Sequence, residues 1–391
     1  MRLATEQFDA HFLGVDFDGL LPDNRTLLRS VFEDLENAAT YYTALELTGR
    51  FQTWGIKHTT LLGADYYNED VDAQFAFPSL TSIDIFNPVH GAPRPDLLFD
   101  PGKDATEYYG VYFQDQFDLL NNLHLLGGGR YDWATTESQF GTNPANKTED
   151  QAFSPRVGLV YQPLPWLALY GSYVESFGSE NSGLSRTGEA FKPETGTQYE
   201  AGLKTELLDR RLSATLAFYH LTKQNVLTPD PVDPNFSVQT GEARSRGIEV
   251  DLAGEITPAW SLIAAYAYTD ARITQDNSGR EGFRVEAVPE HSSSVWTRYR
   301  FLRRPLQGLS VGAGVFAAGK RTGFENDFTV PGYARVDALA AYTWQLGPTR
   351  VTAQLNVENL LNKEYLATVV SRAEIIPGAP RTFLGSLRIE F

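Results

Sequence analysis

Histidine is the side chain of this sequence best suited to catalysis or metal binding, because imidazole can transfer a proton or ligate a transition metal near neutral pH. The six histidines are scattered along 391 residues, at His11, His58, His90, His124, His220 and His291. No two of them have the spacing of a metal-binding pair on one helix or one hairpin. Cysteine is absent, so thiolate metal sites and disulfides are excluded. The sequence therefore predicts no metal site and no catalytic residues.

Nucleotide and nucleic-acid binding are also poorly supported. The run Gly127–Gly129 lies inside a strand pattern, where glycine usually marks a close approach of strands and not a phosphate cradle. The formal net charge is -16, whereas nucleic-acid binding depends on clustered Lys and Arg. We expect no nucleic-acid partner and no enzymatic activity.

The clearest structural signal is the end of the chain, residues 381–391. Phe383, Leu387, Ile389 and Phe391 alternate with small or polar residues. This period of two is typical of a β-strand that buries one face. A strand that ends the chain suits the last strand of a closed barrel.

The rest of the chain alternates short turns with long polar loops. The long loops cover roughly 73–104, 139–150, 178–193, 228–236, 276–286, 322–330 and 364–378. Trp54, Trp166, Trp260 and Trp344 all lie in or beside short turns. Short turns on one side, long loops on the other and a belt of aromatic residues are typical of outer-membrane barrels.

Composition is compatible with a barrel. Mean hydropathy is -0.29, and no apolar run reaches the roughly 18 residues that a membrane helix needs. Barrel strands expose only every second residue to lipid, so they need no such run. Aromatic residues make up 13% of the sequence. We predict an all-β fold, a transmembrane antiparallel up-and-down β-barrel, in one domain over 1–391.

The alternation predicts about sixteen strands. They cover 2–18, 26–51, 56–72, 105–119, 122–138, 151–162, 166–177, 194–208, 211–227, 237–256, 260–275, 287–302, 308–321, 331–345, 349–363 and 380–391. Segment 26–51 is also compatible with two strands. Asp115 falls on the apolar face of Val111, Phe113 and Phe117, and the sequence identifies no partner for it.

A series of motifs resembles the barrel of the TonB-dependent ferric-siderophore receptors over nearly the whole chain. In order they are GVYFQDQ at 110–116, LGGGRYD at 126–132, SPRVGLVY at 154–161, LYGSYVESF at 169–177, KPETGTQYEAGLK at 192–204, LSATLAFY at 212–219, GEARSRGIE at 241–249, VPEH at 288–291, VPGY at 330–333 and NVENLLN at 356–362. Each motif is weak alone, and their serial order makes the resemblance specific.

The resemblance implies a receptor in the Gram-negative outer membrane, in contact with lipid and lipopolysaccharide. It implies a transported ferric siderophore and no cofactor. It also implies that the barrel-insertion machinery reads the terminal aromatic residue Phe391. Such receptors have a 22-stranded barrel around an N-terminal plug, and this sequence begins directly in strands with no visible signal peptide. We therefore expect a truncated form that lacks the plug, the first six strands and the motif that engages TonB, and that does not by itself support TonB-dependent uptake.

For ligand binding the resemblance directs attention to the outer loops and upper strands. A ferric siderophore already coordinates its metal, so the protein needs aromatic faces and a few hydrogen-bond donors. The candidate ligand-binding residues are Phe75, Phe77, Tyr108, Phe140, Phe283, Phe324 and Phe328. Further candidates are Phe86 and Phe191 in loops and Tyr109 at a strand mouth, with Arg186, Arg280 and Arg372 as partners of an anionic chelate.

Charged residues on the polar face of the strands have two interpretations. They are Glu200, Lys204, Glu206, Glu249, Asp251, Arg335, Asp337 and Glu358. They would pair with each other or with a plug in a receptor, and tune ion selectivity in a pore. Three alternatives stay open: a receptor for cobalamin, haem or an oligosaccharide, a free-standing passive channel, and a soluble lectin-like β protein.

Overall fold

The computed structural model describes residues 1–179, 185–188, 191–233, 236–372 and 374–391. Regular secondary structure in those ranges is β-strand throughout, as the alternation predicts. Over the same ranges, no helix is long and apolar enough to cross a membrane.

The strands are numbered in chain order. They are β1 Arg2–Leu20, β2 Thr26–Thr53, β3 Ile56–Ala76, β4 Ser79–Asp84, β5 Asp100–Leu120, β6 Leu123–Phe140, β7 Asn146–Leu164, β8 Leu167–Gly178, β9 Glu194–Leu207, β10 Leu212–Pro229, β11 Ser237–Thr257, β12 Trp260–Gln275, β13 His291–Arg300, β14 Leu309–Ala318, β15 Arg321–Thr322, β16 Thr329–Val330, β17 Tyr333–Leu346, β18 Thr349–Glu358, β19 Leu366–Val369, β20 Ile375–Pro377 and β21 Thr382–Glu390.

One antiparallel sheet contains sixteen long strands and the short β4. Each long strand pairs with the next long strand along the chain, which confirms the predicted up-and-down order. The segment predicted over 26–51 is the single strand β2. Within the described residues β1 pairs only with β2 and β21 only with β18, so the sheet has two free edges and is not closed. The same residues include no plug domain.

The turns confirm the predicted asymmetry between the two ends of the sheet. Adjacent strands are joined at one end by short turns, such as 54–55, 121–122 and 347–348, and at the other end by the long loops. Trp54, Trp166, Trp260 and Trp344 are all exposed at the short-turn end. Indole favours the membrane–water interface, so these residues are placed as an aromatic belt.

The two faces of the sheet differ in the way that a barrel wall requires. Large apolar side chains such as Leu62, Val111 and Phe113 alternate outward and are exposed to solvent in the isolated chain. The buried apolar residues in the described ranges are only alanines and valines, so no second layer covers the outward rows. The opposite face is polar: Arg130 donates two hydrogen bonds to Asp65, at 2.6 and 2.7 Å, and one to Asp132 at 2.6 Å. We refer to this polar face as the lumen face.

The register of β3 against β5 supplies the missing partner of Asp115. His58 pairs with Phe117, two positions along the register from the pair Thr60–Asp115, and its Nδ1 is 2.7 Å from the Asp115 carboxylate. The His58 ring stacks on Phe51 at 4.8 Å and meets the edge of Phe117 at 5.1 Å. The two polar side chains are thus a buried pair under aromatic cover on the outward face.

Other histidines also join neighbouring strands. His11 is 2.8 Å from Glu33, His124 is 2.6 Å from Asp118, and His291 is 2.9 Å from the Tyr266 hydroxyl. In the described residues no group of three or more potential ligands is arranged to hold a metal ion. The geometry supports structural roles for these histidines.

Candidate ligand-binding site

Five phenylalanines form a continuous series of ring contacts near the long-loop end of the sheet. We call Phe12, Phe32, Phe77, Phe75 and Phe140 the aromatic ladder. The ring centroids of Phe12 and Phe32 are 5.4 Å apart, and those of Phe32 and Phe77 are 5.2 Å apart. Phe75 is 6.3 Å from Phe77 and 5.7 Å from Phe140. These spacings fall in the range of favourable aromatic pairs.

Glycine makes two of these ring contacts possible. Gly102 of β5 lies opposite both the end of β3 and Phe140 of β6, and a Cβ atom there would be 2.5 Å from the Phe75 ring. Gly14 of β1 lies opposite Phe32, and a Cβ atom there would be 2.9 Å from the Phe12 ring. Because Gly102 lacks a side chain, the rings of Phe75 and Phe140 can meet over β5, and because Gly14 lacks one, the ring of Phe12 can lie beside that of Phe32 on the adjacent strand.

The aromatic ladder lies on the lumen face. Phe32 is an even number of residues from Glu46 in β2, and β2 pairs with β3 without a bulge between those positions. Glu46 accepts a hydrogen bond from Tyr112, the ring on which Arg130 lies at 5.4 Å. Side chains with the same parity share a face of a strand. The aromatic ladder therefore faces the interior of the barrel, and it lies nearer the long-loop end than the polar network of Arg130.

Three of the seven predicted ligand-binding residues, Phe75, Phe77 and Phe140, belong to the ladder. The sequence prediction does not include Phe12 and Phe32, because they lie inside predicted strands and the candidates come from loops and strand mouths. Each has an apolar residue beside it, Leu13 and Val31, so the alternation along β1 and β2 gives no signal for them.

Tyr108 forms a second contact group on the same face. Its ring meets Tyr67 at 6.3 Å and Phe177 at 6.3 Å, and its hydroxyl is hydrogen-bonded to Ser179. Phe177 and Ser179 end β8 and begin the next loop, so this loop folds back to β5. Part of that loop, 180–184 and 189–190, lies outside the described residues.

The remaining predicted aromatics lie over the strands at the other end of the chain. Phe324 is stacked under the Arg280 guanidinium at 4.6 Å, and Phe328 under that of Arg372 at 4.9 Å. Phe283 lies in the neighbouring loop. Asn326, from the loop that contains Phe324 and Phe328, is connected to that loop by two hydrogen bonds of 2.9 Å with the backbone of Arg284. No ring contact within the described ranges links this group to the aromatic ladder.

The three predicted arginines each have a carboxylate partner. Arg186 is 3.0 Å from Asp230, Arg280 is 3.0 Å from Asp276, and Arg372 is 2.8 Å from Asp327. A hydrogen bond from the Val232 amide, followed in size by one from Arg186, holds the pKa of Asp230 below its usual value against desolvation, which raises it. Asp230 is therefore ionised at neutral pH and offsets the charge that Arg186 would offer an anionic ligand.

Two buried residues hold the loops after β14 and β18 in place. Asn359 accepts from the Lys363 amide and donates to the carbonyls of Lys363 and Ala379. Arg321 donates to the carbonyls of Leu366 and Ala367, and its guanidinium lies 5.2 Å from the Tyr333 ring. These bonds connect backbone segments that are distant in the chain, so they determine how the loops fold.

The predicted pairing of lumen charges is found in part. Arg335 is 2.7 Å from Asp337, and Asp337 also accepts a hydrogen bond from the backbone N–H of Asn359 at 2.8 Å. Glu200 accepts from Tyr170 at 2.7 Å, and the Lys204 ammonium lies 5.0 Å from the same ring. Glu206 pairs with Arg210 of the following turn at 3.0 Å.

Comparison with known proteins decides the family. The model of the TonB dependent receptor-like β-barrel matches residues 6–360. The chain belongs to this family. Its members are outer-membrane receptors and transporters, so the predicted family and the predicted outer-membrane location are confirmed.

Curated relatives of this TonB-dependent receptor chain are named as receptors or transporters. It is 34% identical to the metal-pseudopaline receptor CntO of Pseudomonas aeruginosa over 100% of this chain and 57% of that protein. It is 34% identical to the ferrichrome outer membrane transporter/phage receptor of Escherichia coli K12 over 93% of this chain and 50% of that protein. The chain spans about half the length of the curated relatives it matches.

Solved structures confirm the fold. The siderophore receptor PiuA of Acinetobacter baumannii superposes with a TM-score of 0.87 at 23% identity, over 99% of this chain and 61% of PiuA. The ferric preacinetobactin receptor BauA of the same organism superposes with a TM-score of 0.85, over 100% of this chain and 59% of BauA. The sixteen long strands therefore have the fold of the barrel wall in these structures.

Proposed function

We propose that this chain forms most of the barrel of an outer-membrane receptor that captures ferric siderophores and, in the complete protein, is energised through TonB. The aromatic ladder is the main structural support: five rings face the lumen near the long-loop end, where a ligand from outside would arrive. The relatives named as siderophore receptors support the same ligand class. The protein acts as a transporter and uses no cofactor of its own.

The ligand class is tested with the chain folded in detergent micelles. Ferrichrome and ferrioxamine B, each with and without iron, are titrated against the protein while tryptophan fluorescence is followed. Saturable quenching by an iron-loaded chelate alone supports the proposal. Binding of cobalamin, haem or an oligosaccharide, and not of a ferric chelate, would mean that the receptor is specific for that ligand. A passive channel is a third possibility, and it would conduct ions in planar bilayers without a plug and bind none of these ligands.

Removing a central ring of the ladder should weaken binding of the ferric chelate. Phe77→Ala is expected to lower affinity about two- to twelvefold, because an aromatic contact contributes about 0.5–1.5 kcal/mol beyond area burial. The matched control is Phe218→Ala, which removes an exposed ring from the outward face. Equal affinity of both variants for the chelate would show that the aromatic ladder is not part of the binding site.

Phe391 is proposed as the residue that the barrel-assembly machinery reads. It is 99% exposed at the end of the edge strand β21 and makes no ring contact in the described structure. Phe391→Ala should reduce the amount of folded protein recovered in the outer membrane severalfold, while folding into detergent in vitro is unchanged. Phe383→Ala, on the same face of β21, is the control, and equal loss for both would mean that hydrophobicity and not position is read.

A further inference from the structure

The lumen face around the aromatic ladder is acidic. Four consecutive cross-strand rows of β1, β2, β3, β5 and β6 form it, from the row of Phe12 and Phe75 to the row of Thr40. We call them the acidic rows, because their lumen-facing side chains include six carboxylates: Glu6, Asp34, Glu36, Glu69, Asp100 and Asp104. The basic residues of the same stretch, Arg29 and Lys103, have the opposite parity and point outward.

Asp34 is the carboxylate most closely surrounded by the rings. It lies opposite Phe12 of β1 and Phe75 of β3, and Phe32 precedes it by two residues on the same face of β2. Side chains directly opposite each other in an antiparallel pair have Cβ atoms about 4.5–5.5 Å apart. Oδ1 of Asp34 is buried and has no hydrogen-bond partner in the described structure. Asp34 is thus a partly desolvated carboxylate flanked by three rings of the aromatic ladder.

Neither a basic side chain nor a metal site balances this charge. None of the six carboxylates forms an ion pair with Lys, Arg or His among the described residues. In the same part of the chain no three potential ligands are arranged to hold a metal ion. A cleft lined by charges of one sign concentrates ligands of the opposite sign and repels those of its own sign. Aromatic faces also attract organic cations. Both features of the acidic rows therefore favour a ligand with a cationic group.

We propose that the aromatic ladder selects ferric chelates that carry a cationic group such as a primary ammonium, and that Asp34 and Glu36 bind this group. The inference rests on the function proposed above and narrows its ligand class. The apolar surface of the chelate contacts the rings, and the ammonium lies beside Asp34. Glu36 follows Asp34 by two residues and faces the lumen from the next row. The same carboxylates repel a ferric tris-catecholate, which carries a net negative charge.

The test compares two ferric chelates that differ in one charge. Ferrioxamine B ends in a primary amine that is protonated at neutral pH, and its N-acetyl derivative holds iron in the same way but is neutral. Both are titrated calorimetrically into the full chain in neutral detergent micelles. The cationic chelate should bind about two- to thirtyfold more tightly, the effect of one or two partly exposed charge pairs. The difference should shrink in about 1 M salt, which screens charges beyond about 3 Å.

Paired variants locate the cation site. Asp34→Asn with Glu36→Gln should weaken binding of ferrioxamine B about two- to thirtyfold, leave the N-acetyl derivative unchanged and strengthen binding of a ferric tris-catecholate. A purely structural role would change the affinity for all three chelates in the same direction. The control is Asp70→Asn with Asp72→Asn, which removes the same charge from exposed positions on the outward face of β3. It should leave all three affinities unchanged.

The outcomes separate this inference from the proposed function. Equal binding of the cationic and neutral chelates, or tighter binding of the tris-catecholate, would overturn the charge selection and leave a siderophore receptor. Equal loss of ferrioxamine B binding in both double variants would assign the attraction to the net charge of the chain, -16, and would also overturn it. If ferrichrome and all three chelates fail to bind, both the inference and the proposed function are wrong.

Discussion

Leu216→Arg is expected to lower the free energy of unfolding in lipid bilayers by about 2–4 kcal/mol if the site is at the midplane of the bilayer. Leu216 lies in β10 opposite Leu203 of β9 and Val250 of β11, on the same outward face as Phe218. Phe218 is 50% exposed, because no protein layer covers this face. An arginine there would have to leave hydrocarbon or carry water into it.

The adjacent position is the matched control for Leu216. Thr215 points to the lumen, between Lys204 and Asp251 on the neighbouring strands. Thr215→Arg should cost less, because a wet lumen solvates the charge and Asp251 faces it. Denaturant unfolding in vesicles, followed by tryptophan fluorescence, measures both variants. Equal destabilisation would show that the two faces are not as different as the proposed membrane orientation requires.

His58→Leu is expected to cost about 3 kcal/mol, because it leaves the buried carboxylate of Asp115 without its partner. The side chains of His58 and Asp115 are 12% and 7% exposed. The remaining Asp115 oxygen already has no hydrogen-bond partner in the described structure. The cost is thus the desolvation of a carboxyl group and not the loss of a strong attraction.

The double variant separates these contributions. Replacing both residues with leucine should recover much of the loss, since two apolar side chains then pack between Phe51 and Phe117 with no polar atom left unpaired. His220→Leu is the control on the outward face, where the histidine is exposed and has only a 3.5 Å contact with Thr222. Unfolding in vesicles gives the free energies for the cycle. Additive effects of the two single changes would mean that the pair is not coupled.

Much of the fold was predictable because the strands and turns of a barrel wall follow local sequence patterns. The alternation of apolar and polar residues identifies each strand. The length of the connection after a strand, short turn or long loop, indicates at which end of the sheet that strand ends. The strand count follows from this, whereas only the structure decided that Thr26–Thr53 is a single strand. Boundaries were less accurate at the long-loop end: β3 continues to Ala76, and β5 begins at Asp100. There the strands extend beyond the membrane, and the alternation of apolar and polar residues fades because both faces meet water.

The candidate site was only partly predictable. Position in predicted loops indicates Phe75, Phe77 and Phe140 as ligand-binding residues, but it gives no indication of the strand residues Phe12 and Phe32. The loop arginines were expected to be available to an anion, and instead each pairs with an aspartate. Whether a side chain is already paired depends on loop conformation, for which the sequence has no periodic signal.

The sequence by itself determined which face of each strand each residue occupies, since side chains alternate strictly along an extended backbone. It also determined the family, through motifs that occur in a fixed order. Only the tertiary structure decided which residues of a face meet, because cross-strand contacts depend on register. Register places His58 beside Asp115, 57 positions later, and it places Asp34 between Phe12 and Phe75. Pairs this distant in the chain leave no local pattern, so their partners became visible only when the strands were aligned.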